Sequence, residues 1–279
     1  MSTTHSHPVP SSSAIGGEPG LHELEIAREI QNRLLPGRLR QIRGIDYYGE
    51  SRPAAEVGGD FFDFIASTGE SLVVSVGDVC GTGVGAAIMM AGLQAYLRVL
   101  TLERRADLTA IVQELNRIAC DLSPDNFYVT LFYASIDPAH RQIRYVSAGH
   151  EPALLIREHG VARLESTGTV LGLSKRSLFR LKTAAFEPGD VLVAFTDGLT
   201  DAMSTEDREL HEMSVPDLVR RRSALSAGEL VTAILESSER FASPAWPLDD
   251  RTVVVVRREK TAERVTLEDC FAELACAAT

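Results

Sequence analysis

Positive charge is the scarcer sign in this 279-residue chain: 28 lysines and arginines stand against 39 aspartates and glutamates, a formal net charge of -11. That balance excludes a nucleic acid or an anionic bilayer as the main partner, because either requires clustered cations. The run Arg220 to Arg222 is a local exception that reads as the solvated face of a helix. Cysteine is sparse as well. Cys80, Cys120, Cys270 and Cys276 form no CxxC pair and match no zinc spacing, which leaves a reduced chain as the simplest reading. Long hydrophobic runs are missing: "VLVAF" and "VVVV" have the length of strands, too short for a bilayer. The opening "MSTTHSHPVPSSSAIGG" lacks the apolar centre of a signal peptide. The expectation is a cytoplasmic protein with no membrane segment and a disordered lead over residues 1–20.

What is present is enough for a core, since 44% of the residues are hydrophobic. Residues 21–35, "LHELEIAREIQNRLL", read as a helix with Leu24, Ala27, Ile30 and Leu34 at helical spacing, stopped by Pro36 and Gly37. That stripe is expected to bury itself on its own domain or on a second copy. "FFDFIAS" and "SLVVSVGDV" read as a hairpin about "TGE". Two helices follow, "GVGAAIMMAGLQAYLRVLTLE" and "LTAIVQELNRIACDL", the first with Thr82 and Gly83 at its start. Then come strands "FYVTLFYASID", "QIRYVSAGH", "PALLIRE", "LFRLKTAAF" and "DVLVAFTDG", helices near 215–222 and 227–241, and a last strand "RTVVVVRRE". Strands outnumber helices and come in runs rather than in βαβ alternation. The expected fold class is α+β, with mainly antiparallel sheets and helices packed outside. The expected layout is a lead over 1–20, a regulatory or dimerising helix over 21–40, one domain over 41–258 and a tail over 259–279.

Four acidic sites stand at the edges of apolar strands: Asp60 in "VGGDFFD", Asp78 in "VSVGDVCGTG", Asp197 in "VAFTDGLTDA" and the pair Asp249 and Asp250 in "PLDDRTVVVV". Taken singly, each is ordinarily a turn, because Asp and Gly favour turns for local reasons. Taken together they are unusual. Carboxylates that converge repel one another and lose solvation, and a divalent cation removes both costs. Oxygen ligands with few histidines or cysteines suit Mg²⁺ or Mn²⁺.

The stretches "VGGDFFD", "VGDVCGTGVGAA", "VTLFYASID", "YVSAGHEPALL", "GDVLVAFTDGLTDA" and "DDRTVVVV" fall in an order that resembles the metal-dependent protein serine/threonine phosphatases (the PPM, protein phosphatase 2C-like family), in the bacterial SpoIIE/RsbU-like branch. The resemblance runs from about residue 23 to 258, and "EIAREIQNRLLP" resembles the helix that precedes this domain in the family. It implies an antiparallel β-sandwich flanked by α-helices (αββα) with two divalent cations, Mn²⁺ or Mg²⁺, at one edge. It implies that Asp78 bridges both ions, that the Val79 carbonyl holds one, that Asp197 and Asp249 are ligands, and that Asp60 binds an ion directly or through water. Asp250 stays open as the alternative to Asp249, and Asp63 is expected to be supporting or structural. His150 in "SAGH" is expected to be structural and Cys80 a packing residue. The implied substrate is phosphoserine or phosphothreonine on a small regulatory protein of the anti-sigma-factor antagonist type, attacked by metal-activated water. A homodimer or a regulator is expected to act through helix 21–35, and sigma-factor signalling is the implied context.

Two features depart from the family. Thr82 stands where relatives often carry histidine or lysine. No arginine is identified for the phosphate, with Arg52 a candidate by position alone. Two other functions compete. A domain with this fold but without metals would be a silent regulatory or binding module. "GGDFF" also resembles the GGDEF turn of diguanylate cyclases, but that fold alternates strands and helices, and here strands come in runs.

Overall fold

The computed structural model of the chain describes residues 20–37, 40–66, 71–104, 107–123, 127–201, 208–241 and 249–260. The expected lead and nearly all of the expected tail lie outside these residues, as does the turn "TGE". After helix α1 (Leu21–Leu34), ten strands build two five-stranded antiparallel sheets. One sheet has β1 (Ile45–Arg52), β10 (Arg251–Arg258), β9 (Val191–Phe195), β6 (Ala153–Arg157) and β7 (Gly160–Leu164), in that spatial order. The other has β2 (Phe61–Ala66), β3 (Leu72–Val79), β4 (Val129–Asp137), β5 (Gln142–Ala148) and β8 (Lys182–Ala185).

Strand side chains alternate between faces, and both faces here are apolar. On β10, Val254 and Val256 point into the layer between the sheets, where Phe62, Phe64, Val74, Val76, Phe132 and Leu192 meet them. Val253 and Val255 point outward beneath α5 (Arg208–Arg221) and α6 (Ala227–Phe241). The outer face of the second sheet is covered by α2 (Val84–Arg104) and α3 (Leu108–Leu122) through Met90, Leu93, Leu97, Ile111 and Leu115. The result is the expected α+β sandwich in four layers, αββα. The run of four valines is buried on both faces, which is why it carries no polar alternation.

Three local details add to the expectations. α1 buries little of its stripe: Leu24 and Ala27 are half-buried, Ile30 is 57% exposed, and Leu34 is exposed. Its buried side chain is polar, Gln31. Only Lys182–Ala185 of "LFRLKTAAF" pairs as a strand, because Phe179 turns into the α2–α3 core while the residues around it stay in a loop. Strand β7 pairs antiparallel with β6 across the short turn at Glu158 and His159, a hairpin too short and polar to stand out in the sequence. Among the described residues, α2 is the one helix long and apolar enough by composition to cross a bilayer. Here Ala86, Met90, Leu93 and Leu97 pack on the sheet.

Candidate metal centre

The acidic turns gather at one end of the sandwich. β2 begins and β3 ends there in one sheet, and β9 ends and β10 begins there in the other. Asp60 therefore sits beside the end of β3, where the Val79 N–H donates to the Gly59 carbonyl at 3.3 Å. The turn must be made of glycine. A Cβ on Gly58 would collide with Asp250 Oδ2, and one on Gly59 would lie 2.7 Å from the Val79 carbonyl oxygen. Asp197 follows β9 and leads into the short helix α4 (Gly198–Asp201).

The two sheets are stitched together through these residues. Thr196 Oγ1, at the end of β9, donates to Asp60 Oδ2 at 2.7 Å and accepts from the Thr252 N–H at 3.0 Å. Asp250 Oδ1 accepts from the Ala54 N–H at 2.8 Å, and Oδ2 accepts from the N–H groups of Gly59 at 2.6 Å and Asp60 at 3.4 Å. Both oxygens of Asp250 are thus occupied by main-chain donors. Its neighbour Asp249 is exposed and accepts the Asp250 N–H at 2.8 Å.

Electrostatics marks two of these carboxylates. Burial and then the adjacent Asp78 charge push Asp60 well above the ordinary carboxylate range, opposed by the Thr196 hydroxyl. Burial, then the charges of Asp197, Asp249 and Asp250, push Asp78 up to about 7, opposed by a hydrogen bond with Asp60. Both shifts run upward because burial and then crowding carboxylates disfavour the charge, and the groups that oppose them are hydrogen-bond partners rather than cations. The donor set is all oxygen, which suits Mg²⁺ or Mn²⁺. Among the described residues, no three His, Cys, Asp or Glu side chains yet stand in a geometry that holds an ion. The carboxylates fit a divalent cation by chemistry and would have to draw together around it.

The other residues singled out in the sequence fall outside this cluster or support it. Asp63, three residues after Asp60, is buried against α2, where Arg98 Nη1 donates to both its oxygens at 2.7 and 2.6 Å. Burial still outweighs Arg98 and raises its pKa. Arg52 donates to Glu50 and Glu239, so its guanidinium is engaged by protein carboxylates. His150 is buried and neutral, with its pKa lowered to about 4 by burial, and its Nδ1 lies 2.8 Å from Thr130 Oγ1. Cys80 Sγ accepts the Tyr128 N–H at 3.1 Å, a packing and strapping contact. Thr82 is exposed on the loop between Asp78 and α2.

Sequence reasoning missed one residue. Gln31 of α1 donates from Nε2 to the Gly58 carbonyl at 2.7 Å and accepts the Gly58 N–H at 3.1 Å. Its amide thus clasps the peptide groups of the turn that presents Asp60. A polar residue buried in an otherwise exposed helix was the available signal, but burial is not visible from sequence.

Known proteins share this fold and much of this sequence. The sequence profile of Stage II sporulation protein E (SpoIIE) matches residues 68–259. The phosphoserine phosphatase RsbU of Bacillus subtilis is 30% identical over 239 residues, covering 85% of this chain and 70% of that protein. Protein IcfG of Synechocystis is 33% identical over 209 residues, covering 65% of this chain but only 33% of IcfG. Among solved structures, the RsbU and RsbW domains of Rv1364c from Mycobacterium tuberculosis align with a TM-score of 0.67 at 26% identity, covering 84% of this chain and 68% of that one. The catalytic domain of the serine/threonine phosphatase PstP, solved with two manganese ions, shares the fold with a TM-score of 0.56 at 17% identity, covering 76% of this chain and 97% of that one. The four-layer sandwich, the order of its acidic turns and the length of the profile match lead to one conclusion: the chain belongs to the SpoIIE family, a bacterial branch of the metal-dependent protein serine/threonine phosphatases.

Proposed function

We propose that this chain removes phosphate from serine or threonine of a small regulatory protein, of the anti-sigma-factor antagonist type, in the cytoplasm. The observation that carries the reading is the meeting of Asp60, Asp78, Asp197 and Asp249 at one sandwich edge, where burial and neighbouring carboxylates raise the pKa values of Asp60 and Asp78. Two divalent ions, Mn²⁺ or Mg²⁺, would be held by Asp60, Asp78, Asp197 and Asp249 with the Val79 carbonyl. Bound there, such ions supply an activated water and neutralise phosphoryl oxygens.

The protein's own groups have separate tasks. Asp78 and Asp197, anchored on strand ends, give up charge-charge repulsion when a cation arrives. Thr196 fixes which oxygen of Asp60 faces the other carboxylates. Asp250 acts as the positioning residue, because its oxygens are taken by the Ala54, Gly59 and Asp60 N–H groups, and Asp249 is the ligand of the pair. Domain 41–258 carries the chemistry. Helix 21–35 regulates it, since Gln31 grips the Asp60 turn while Ile26, Ile30 and Leu34 stay exposed for a second copy or a regulator.

The test is Mn²⁺-dependent hydrolysis of an aryl phosphate by the purified chain. Activity that is lost with chelator and with Asp78→Asn or Asp197→Asn in folded protein supports the enzyme. An equal rate in chelator sinks it and leaves the silent binding module. Deleting residues 1–35 tests the helix: an unchanged rate and oligomeric state would remove its regulatory role.

A further inference from the structure

Next to the Phe127–Tyr128 segment, which is bonded to the loop after Asp78, begins a surface that the phosphatase reading does not use. The segment Leu173–Lys182, "LSKRSLFRLK", carries Lys175, Arg176, Arg180 and Lys182 and no acidic residue, in a chain of net charge -11. All four cations are exposed, and so are three leucines: Leu173 is 59% exposed, Leu178 80% and Leu181 45%. Lys175 pairs with Asp121, whereas Arg176, Arg180 and Lys182 have no carboxylate partner among the described residues.

These leucines are not on a slack loop. Asn116 and Gln113 of α3 donate to the carbonyls of Ser174 and Ser177, both at 2.9 Å, and Phe179 is buried in the core beneath. The backbone is pinned from below and the leucines are held outward. Exposed apolar side chains fixed in this way, next to unpaired cations, are the composition of a binding surface rather than of an ordinary face.

The surface is continuous with the catalytic loop. The Cys80 N–H, two residues beyond Asp78, donates to the Tyr128 carbonyl at 3.0 Å, and the Tyr128 N–H returns to Cys80 Sγ. Gly172 packs on that same Phe127–Tyr128 backbone, at 3.3 Å from its Cβ position to the Phe127 carbonyl oxygen. Phe127 also lines an apolar groove of about 440 Å³ along α2, together with Gly85, Ile88, Gly92, Tyr96 and Leu122. No charged residue lines it. The catalytic loop thus borders an apolar groove, and a cationic, leucine-bearing platform continues from it.

We infer that the Leu173–Lys182 platform and the α2 groove form the docking surface for the phosphoprotein substrate, and that they take a segment of that protein rich in acidic and large apolar residues. The inference rests on the phosphatase reading, which requires a protein chain at the metal centre. Charge complementarity selects the occupant: the cations attract acidic residues, and the groove and leucines take the apolar ones. An anionic membrane is the disfavoured alternative, because the net charge of -11 repels it and the surface adjoins the catalytic loop.

Two fluorescent phosphoserine peptides of equal length decide the matter, one flanked by Glu, Leu and Phe and the other by Ser and Lys. Their binding is read by anisotropy on the full chain, and aryl phosphate hydrolysis is read separately. The acidic apolar peptide is expected to bind about tenfold tighter or more. That preference is expected to vanish in Leu178→Ser/Arg180→Glu and to shrink in Ile88→Glu, with aryl phosphate turnover unchanged. Equal binding of the two peptides, or a preference that survives both variants, overturns the inference whether or not the aryl phosphate is cleaved. So does equal peptide binding with platform-dependent sedimentation on phosphatidylserine vesicles, which assigns the surface to lipid. Failure to cleave aryl phosphate defeats the phosphatase reading alone, since peptide binding is measured without turnover.

Discussion

Asp60 and Asp63 stand three residues apart in one stretch, "GGDFFD", and both are buried with raised pKa values, yet their charged neighbours are of opposite sign. Asp63 points to the helix side of β2 and meets Arg98, which donates to both its oxygens. Asp60 sits at the start of the strand and meets hydroxyls, Asp78 and Asp250. A buried carboxylate with a protein cation is satisfied by the fold. One surrounded by other carboxylates awaits charge from outside. The contrast teaches how to separate an acid satisfied by the fold from a candidate ligand when the sequence writes both the same way.

The sharpest break between the two comes from removing charge. Asp60→Asn or Asp78→Asn is expected to cost at least about a hundredfold in Mn²⁺-dependent aryl phosphate turnover. Each should also raise the melting temperature of the ion-free protein by relieving repulsion. Asp63→Asn is expected to do the reverse, lowering stability by roughly 1–3 kcal/mol while the activity per folded molecule stays near wild type. Calorimetry paired with a turnover assay distinguishes them, and a stability loss in Asp60→Asn would erase the distinction.

A pH series probes the same difference. The folded pKa of Asp78 lies at about 7 against an ordinary 3.8, so between these values the folded chain binds more protons than the unfolded one. Stability of the ion-free protein therefore falls as pH rises through that window, by a few kcal/mol at most. Melting temperatures with chelator should be lower at about pH 8 than at about pH 5, and saturating Mn²⁺ should abolish the difference. A flat profile with chelator would mean that the carboxylates do not crowd one another.

The smallest expected effect is at Gln31. Gln31→Ala removes the clasp on Gly58 without touching a carboxylate. It should raise the Mn²⁺ concentration for half-saturation about fivefold, as the loss of a net hydrogen bond would. Calorimetric titration of Mn²⁺ reads it directly. Asp63→Asn should leave that titration unchanged, which would sharpen the contrast further.

Sequence carried much of this. The strand ends bearing Asp60, Asp78, Asp197 and Asp249 were legible because carboxylates beside glycine interrupt apolar runs, and six ordered stretches pointed to the fold. Other features were not legible for physical reasons. Asp63 looks like Asp60 until Arg98, thirty-five residues away, is brought across by α2 packing. Asp250 and Asp249 are chemically identical, and only the placement of the Ala54, Gly59 and Asp60 N–H groups separates them. The α1 stripe obeys helical spacing, yet spacing does not say whether a partner face exists, and most of the stripe stays in water.

The bond from Thr196 to Asp60 joins a residue at the end of β9 to one at the start of β2, in opposite sheets. Catalysis would then depend on how the two halves of the sandwich are seated, a looser degree of freedom than the hydrogen bonds within either half. Under gentle denaturant, activity should decay while far-ultraviolet circular dichroism is still native, because a slip between halves spoils the acidic cluster before any strand unzips. The enzyme would fail first as a joint and only later as a fabric.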